Sequence, residues 1–357
     1  MWTSRDIRAL GVMVGSSMDG VDLAVCRFAV DGGWSLLRGE TVGLSDEWKA
    51  QLRRLPLTDY AAGCRLDMAF GRHLGELIRE WLGDDMVDLI GVHGYTAVHD
   101  PLRMVSVQLG SGRAVYRQTS VPTVDNFRAE DVIAGGAGAP LAPVVERDLF
   151  PGYGMFVNLG GIVNASWHGS EGSVYAKDLT GCNQIADALA GVAGMRMDRD
   201  GSLSVTGKAD GELLARARSV RESLGAQRSI SNEWVQELLL PVFTEEGPAL
   251  ADRIASLYGH VAESLAEAAR QHRSLVRNRY CLITGGGALN PVLMRHIREA
   301  LEKEGYELAE PDQALIDFKE SLLIAWMAYL HARNMPSGAW VWTGASRDDV
   351  AGTAYGL

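Results

Sequence analysis

Three glycine-rich turns mark where this sequence could do chemistry. Gly15-Ser16-Ser17-Met18-Asp19-Gly20 combines small residues, two hydroxyls and a carboxylate. Small residues let backbone N–H groups approach phosphate oxygens, the hydroxyls of Ser16 and Ser17 add donors, and Asp19 offers a carboxylate to a magnesium ion, directly or through water. Gly160-Gly161 forms a second turn and Gly285-Gly286-Gly287 a third, followed at Asn290 by the start of a helix whose positive end adds to an anion site. The first turn is neither a Walker loop, since no Gly-Lys-Ser or Gly-Lys-Thr follows, nor a dinucleotide fingerprint. Alone, it also fits an ordinary hairpin loop, and the triplet fits close packing of a helix on a sheet.

The elements around these turns alternate in kind. Ala9 to Phe28 reads as strand, turn and strand, with the second strand over Val21 to Phe28. Leu66, Phe70, Leu74, Ile78 and Leu82 recur near the helical period and predict a helix from about Tyr60 to Leu82. Met86 to Val92 is a continuous apolar run of the sort that forms a buried parallel strand, ending in the loop His93-Gly94-Tyr95-Thr96. Met155 to Trp167 repeats the strand, glycine turn and strand, and a further strand from Ser173 to Lys177 ends in Asp178. Helices follow at about Asn183 to Val192 and Ala251 to His272, then a strand at Tyr280 to Thr284 and a last long helix at about Ile316 to Ala332. Such alternation predicts an α/β protein with mostly parallel sheets, in which loops after the strands carry ligands.

Composition sets limits on what binds. At 357 residues the chain exceeds the size of one hydrophobic core and predicts two domains. A net charge of -11, with no compensating run of Lys and Arg, argues against nucleic acid as a partner. Cys26, Cys64, Cys182 and Cys281 lie too far apart for a zinc motif or disulfide framework, which suits a reducing compartment. Neither an export signal nor a stretch of eighteen uncharged apolar residues is present, so the expected setting is the cytoplasm, away from the membrane.

Taken in order, the motifs resemble those of the anhydro-N-acetylmuramic acid kinases. Val12 to Asp22 is similar to that family's first phosphate hairpin. Gly91 to Thr96, Phe127-Arg128, Gly135 to Leu141, Val157 to Asn164, Asp178 to Asn183, Gly285 to Pro291, Lys319-Glu320 and Thr343 to Ala345 follow in family order. The resemblance spans residues 11 to 345 and implies the actin and hexokinase class: two RNase H-like domains flanking a nucleotide and sugar cleft. It implies an N-terminal domain of residues 1–128 plus 336–357 and a C-terminal one of residues 129–335. It also implies ATP and Mg2+ as cofactors and a homodimer. The nucleotide and its phosphates fall to Gly15, Ser16, Ser17, Asp19, Gly20, Asn158, Gly160, Gly161, Gly285, Gly286, Gly287 and Asn290. Asp178 is the implied general base, activating the water that opens a 1,6-anhydro bridge while O6 is phosphorylated, and a helix cap is its bland alternative. Arg128 is implied to pair with a lactyl carboxylate, or else to sit in a surface salt bridge. His93, Thr96, Asn183 and Glu320 complete the implied sugar contacts.

Departures cluster near the sugar and the catalytic loop. The family's Gly-Gln-Thr, Asp-Phe-Arg and Gly-Gln-Gly-Ala-Pro are here Gly94-Tyr95-Thr96, Asn126-Phe127-Arg128 and Gly136-Ala137-Gly138-Ala139-Pro140. Its Asp-Thr-Gly-Pro-Gly-Asn has become Asp178-Leu179-Thr180-Gly181-Cys182-Asn183. A kinase for another anhydrosugar or amino sugar therefore stays open, as does a non-catalytic actin-like nucleotide-binding protein, against which the retained Asp178 argues.

Overall fold

A computed structural model describes residues 5–15, 18, 20–54, 59–225, 229–245 and 247–357. The chain folds as two compact units, one made of residues 1–149 and 318–357, the other of residues 150–317. These limits differ from the expected boundaries at residues 128 and 335. The Arg128 side chain bonds Gly138 O at 2.6 Å, Asp131 bonds the Thr343 hydroxyl at 2.5 Å, and a buried Lys319–Glu146 ion pair closes at 2.7 Å. Together they tie residues 129–149 and the helix from Phe318 onward into the first unit.

In the first unit, β1 (Ile7–Val14), β2 (Gly20–Phe28) and β3 (Trp34–Gly43) form an antiparallel meander. β4 (Leu89–Asp100) runs parallel to β1, and β6 (Thr123–Asp125) runs parallel to β4. β5 (Val105–Leu109) pairs with the far part of β4, and β12 (Thr353–Tyr355) closes the order β12-β6-β4-β1-β2-β3. The helix Tyr60–Leu82 matches its predicted span, capped by Asp59, whose carboxylate accepts from Ala62 N at 2.7 Å. It buries Phe70, Leu74 and Ile78 against the apolar side chains of β1, β2 and β4. Residues from Phe318 to Ala332 of the helix Gln313–Ala332 cover β2, where the Phe28 ring meets Trp326 and Tyr329 at 5.0 Å between centroids.

The second unit repeats this topology. β7 (Met155–Leu159), β8 (Ile162–His168) and β9 (Val174–Gly181) form the meander, and β10 (Tyr280–Thr284) and β11 (Glu307–Leu308) add in parallel, in the order β11-β10-β7-β8-β9. A meander of three followed by two parallel strands is the RNase H-like arrangement in both units. The helices Asn183–Val192, Leu250–Gln271 and Pro291–Lys303 close a core around Trp167, Leu189, Tyr258, Val261 and Ile297. Among the described residues no helix is long and apolar enough to cross a membrane.

Two strands differ from expectation. β4 does not end at Val92: Gly94 takes φ +67°, a left-handed conformation that bends the strand, and Tyr95 onward pairs with β5. β9 does not end at Asp178 but runs on to Gly181 through a bulge, in which Asn164 faces Asp178, Val163 faces Thr180 and Leu179 is the extra residue.

Candidate active site

The second unit gathers a row of polar residues across its sheet. Thr284 on β10 pairs with Asn158 on β7, Asn158 with Asn164 on β8, and Asn164 with Asp178 on β9. With strands about 4.8 Å apart, Asp178 lies roughly 10 Å from Asn158 along this row. Core sheets of this kind are otherwise apolar, so a polar row at the carboxyl ends of β7 and β10 is a candidate ligand position. Among the described residues Thr284 Oγ1 is buried with no partner, and the side-chain amides of Asn158 and Asn164 make no hydrogen bond. Asn164 and Thr284 were not among the expected site residues. Their signal was the strand register, which pairs them with Asn158 and which no sequence spacing displays.

The glycine turns sit at the end of that row. Gly160 O and Gly161 O accept the N–H groups of Asn183 and Cys182 at 3.1 and 2.8 Å, and Asn183 Nδ2 donates to Leu159 O at 2.9 Å. Asn183, expected at the sugar, thus stitches the turn to the helix it begins and stands beside Gly286 and Gly287. Gly285 needs to be glycine for the fold: its φ is +87°, and a Cβ would lie 2.9 Å from Leu159 N. Gly286 does not, because a Cβ there would meet only Asn183 Nδ2 at 3.7 Å. An exposed glycine without a packing reason is what close approach of a ligand requires.

Asn290 is a correction. Its Oδ1 caps the helix Pro291–Lys303, accepting from Val292 N and Leu293 N, both at 3.0 Å, and its Nδ2 donates to Asp198 O at 2.9 Å and Tyr258 OH at 2.8 Å. All four hydrogen-bonding capacities of the amide are used, leaving none for a nucleotide. The same network holds Asp198, whose Oδ2 accepts from Tyr258 OH and Ser204 Oγ. Asn290→Ala is therefore expected to cost about 1 to 3 kcal/mol of stability, read from urea unfolding, by removing a cap and stranding buried donors and acceptors. Asn290→Asp keeps the cap but sets a carboxylate oxygen against Asp198 O, so it should recover little of that loss.

Asp178 is half-buried, and its Oδ2 accepts from Ile230 N at 2.9 Å. Burial pushes its carboxyl above the usual aspartate range, with the Ile230 amide pulling the other way. It caps no helix: the residue before Asn183 is Cys182, and that helix start has no side-chain cap. A carboxylate of raised proton affinity at the edge of the polar row is suited to proton abstraction.

The first unit holds the other expected residues. Ser16, Ser17 and Asp19 lie outside the described residues; Gly15 follows β1 and Gly20 opens β2. The His93 ring is buried on β4, with Nδ1 bonded to Gly94 O at 3.1 Å and Nε2 accepting from Arg128 Nε at 3.1 Å. Burial, then the Arg128 charge, hold this imidazole down to about 3, so it stays neutral, with its proton on Nδ1 facing the carbonyl. Arg128 is not in a surface salt bridge. Burial lowers its guanidinium to about 10 against the pull of Glu320 and Asp131, and its Nη1 is spent on Gly138 O. Nη2 donates to no described residue, leaving one edge of the fork for an anion. Asp131, absent from the expected set, accepts from Gly138 N at 2.7 Å and so shapes the glycine loop that Arg128 grips. Glu320 keeps an exposed side chain, yet the protein around it, joined by Asp22, raises its carboxyl while Lys319 and Arg128 oppose this. Thr96 lies opposite Gln108 on β5 and makes no side-chain hydrogen bond to described residues.

Comparison with known proteins gives a consistent outcome. A sequence model for the family described as anhydro-N-acetylmuramic acid kinase matches residues 7–356. The chain is 28% identical to the anhydro-N-acetylmuramic acid kinase of Pseudomonas syringae pv. syringae, over 98% of this chain and 99% of that protein. It is 30% identical to that of Brucella suis, over 92% of each. Among solved structures, the activator of the 2-hydroxyisocaproyl-CoA dehydratase from Clostridium difficile with bound ADPNP matches with a TM-score of 0.49 at 15% identity, covering 92% of this chain and 96% of that one.

Proposed function

The chain belongs to the anhydro-N-acetylmuramic acid kinase family, and on that premise we propose that it opens 1,6-anhydro-N-acetylmuramic acid with water and phosphorylates O6 from ATP. It is a carbohydrate kinase; the product of the proposed reaction is N-acetylmuramic acid 6-phosphate. The observation that carries the finer reading is the row from Asp178 to Thr284, which has a carboxylate of raised proton affinity at one end and an exposed glycine turn at the other.

Asp178 takes a proton from water as the water oxygen bonds to the anomeric carbon. The bond from that carbon to O6 breaks, O6 bonds to the γ-phosphorus, and ADP leaves. Asn158 offers its amide and Gly160 and Gly286 offer space to phosphate oxygens, while Gly161 is closed in by the Gln184 side chain. Arg128 offers Nη2 to the lactyl carboxylate, with neutral His93 fixing the plane of its fork. Magnesium would neutralise charge on the β- and γ-oxygens. Its sequence-assigned ligand Asp19 lies outside the described residues, and no step is routed through the metal. A cytoplasmic setting and a homodimer belong to the same reading.

ADP release with magnesium-ATP should be rapid on 1,6-anhydro-N-acetylmuramic acid and slow on ordinary N-acetylmuramic acid, which has no bridge to open. ATP with magnesium at 100-fold its dissociation constant should stabilise the protein by about 2.7 kcal/mol, visible as a raised melting temperature. Absence of both effects would overturn the proposal. Tyr95, Asn126 and Ala137 replace polar or acidic family residues near Arg128 and favour, as a second reading, another anhydrosugar. Faster turnover on a bridge sugar without the lactyl group would select it.

A further inference from the structure

Beside Asp178 the backbone ladder is broken by the bulge at Leu179, so strand pairing alone does not fix where the carboxylate stands. Ile230 N holds one oxygen of the carboxylate from outside the strand, and the bulge itself needs a further hold. Leu179 is anchored in the core of the unit, and Thr180, fully buried, places its Oγ1 2.9 Å from His260 Nε2. His260 comes from the helix Leu250–Gln271, 80 residues further along the chain, and is 1% exposed. We propose that His260 is a positioning residue for the reaction: through Thr180 it fixes the bulge and thereby the place of Asp178.

The chemistry suits a fixed tether rather than a switch. Burial, then the charges of Arg221 and Arg218, hold the His260 imidazole down to about 3, so the ring is neutral throughout the working range. A neutral ring nitrogen and a hydroxyl form one hydrogen bond whichever of them carries the proton. The loop also differs here from the family pattern, in which Gly-Pro occupies the positions of Thr180-Gly181. Proline stiffens a loop by fixing φ; in this chain a buried side-chain bond takes its place.

The inference rests on Asp178 as the base, so Asp178→Asn is measured alongside. The test uses the full chain with magnesium-ATP and the anhydrosugar that the wild type turns over fastest. Thr180→Val keeps the side-chain shape and removes the hydroxyl; Thr180→Ser restores it. The valine variant should lose roughly 10- to 100-fold in kcat, the scale of a small misplacement at a reacting centre, with KM for ATP within about twofold. The serine variant should keep more than about half of kcat. A valine variant with wild-type kcat and only a lower melting temperature would show that the bond is merely structural. Equal losses in kcat and in ATP affinity would assign it to the phosphate turn instead. Should the valine variant not fold, His260→Gln, which still offers Thr180 a partner, is expected to keep kcat where His260→Leu loses it; equal kcat in both sinks the idea. Full activity in Asp178→Asn removes the base and this proposal with it, whereas inactivity there with full activity in Thr180→Val removes only the tether.

Discussion

Asp178→Asn is expected to lower turnover by roughly 100- to 10,000-fold, the worth of positioned acid–base catalysis, while the melting temperature barely moves. Asparagine keeps the volume and an oxygen to accept from Ile230 N, so that contact survives. What it lacks is proton affinity. Because burial raises the Asp178 carboxyl above the ordinary value of 3.8, the wild-type rate should fall on acidification at a higher pH than an unperturbed aspartate would give. The sign follows from the role: a base works only when ionised, so activity is lost as pH falls through the raised pKa. The residual activity of the asparagine variant should lack that acid limb. A folded variant keeping more than about half of wild-type turnover would rule Asp178 out as the base.

Arg128→Ala should weaken binding of the lactyl-bearing sugar by about 2 to 5 kcal/mol, or roughly 30- to 5,000-fold, as expected when one member of a desolvated charge pair is removed. The same truncation leaves His93 Nε2 and Gly138 O without their donor, so a stability loss of about 1 to 3 kcal/mol is expected as well. Comparing two ligands separates the effects. An anhydrosugar without the carboxylate should bind the folded variant nearly as well as the wild type. Titration calorimetry on both sugars is the measurement, and equal losses would mean that Arg128 serves the loop rather than the ligand.

Much of the architecture was legible because periodicity is local. The helix Tyr60–Leu82 falls on its apolar repeat, and both meanders announce themselves as paired apolar runs around glycine turns. β3 left no such trace: as an edge strand it exposes Leu37, and most of its residues meet solvent at least in part. His93-Gly94-Tyr95-Thr96 read as a loop because glycine breaks the pattern, whereas a positive φ lets β4 bend and continue. At the site, glycine turns and the Asp178 motif were visible as residue types. Pairings set by register or by distant segments were not, among them Asn164 with Asp178 and Thr180 with His260. Asn290 shows the reverse error, since a polar residue at a helix start reads the same whether it caps the helix or meets a ligand.

The first unit is built from both ends of the chain, with the whole of the second unit encoded between them. During translation its first 149 residues emerge long before the segment beginning at Phe318. At typical elongation rates the delay is on the order of ten seconds or more. Throughout that interval Phe28 has no Trp326 or Tyr329 to cover it, and β6 has no β12 along its edge. An uncovered aromatic and an open strand edge invite pairing with other nascent chains. The continuous segment of residues 150–317 faces no such wait, so the half of the molecule that is made second is the first that can finish folding.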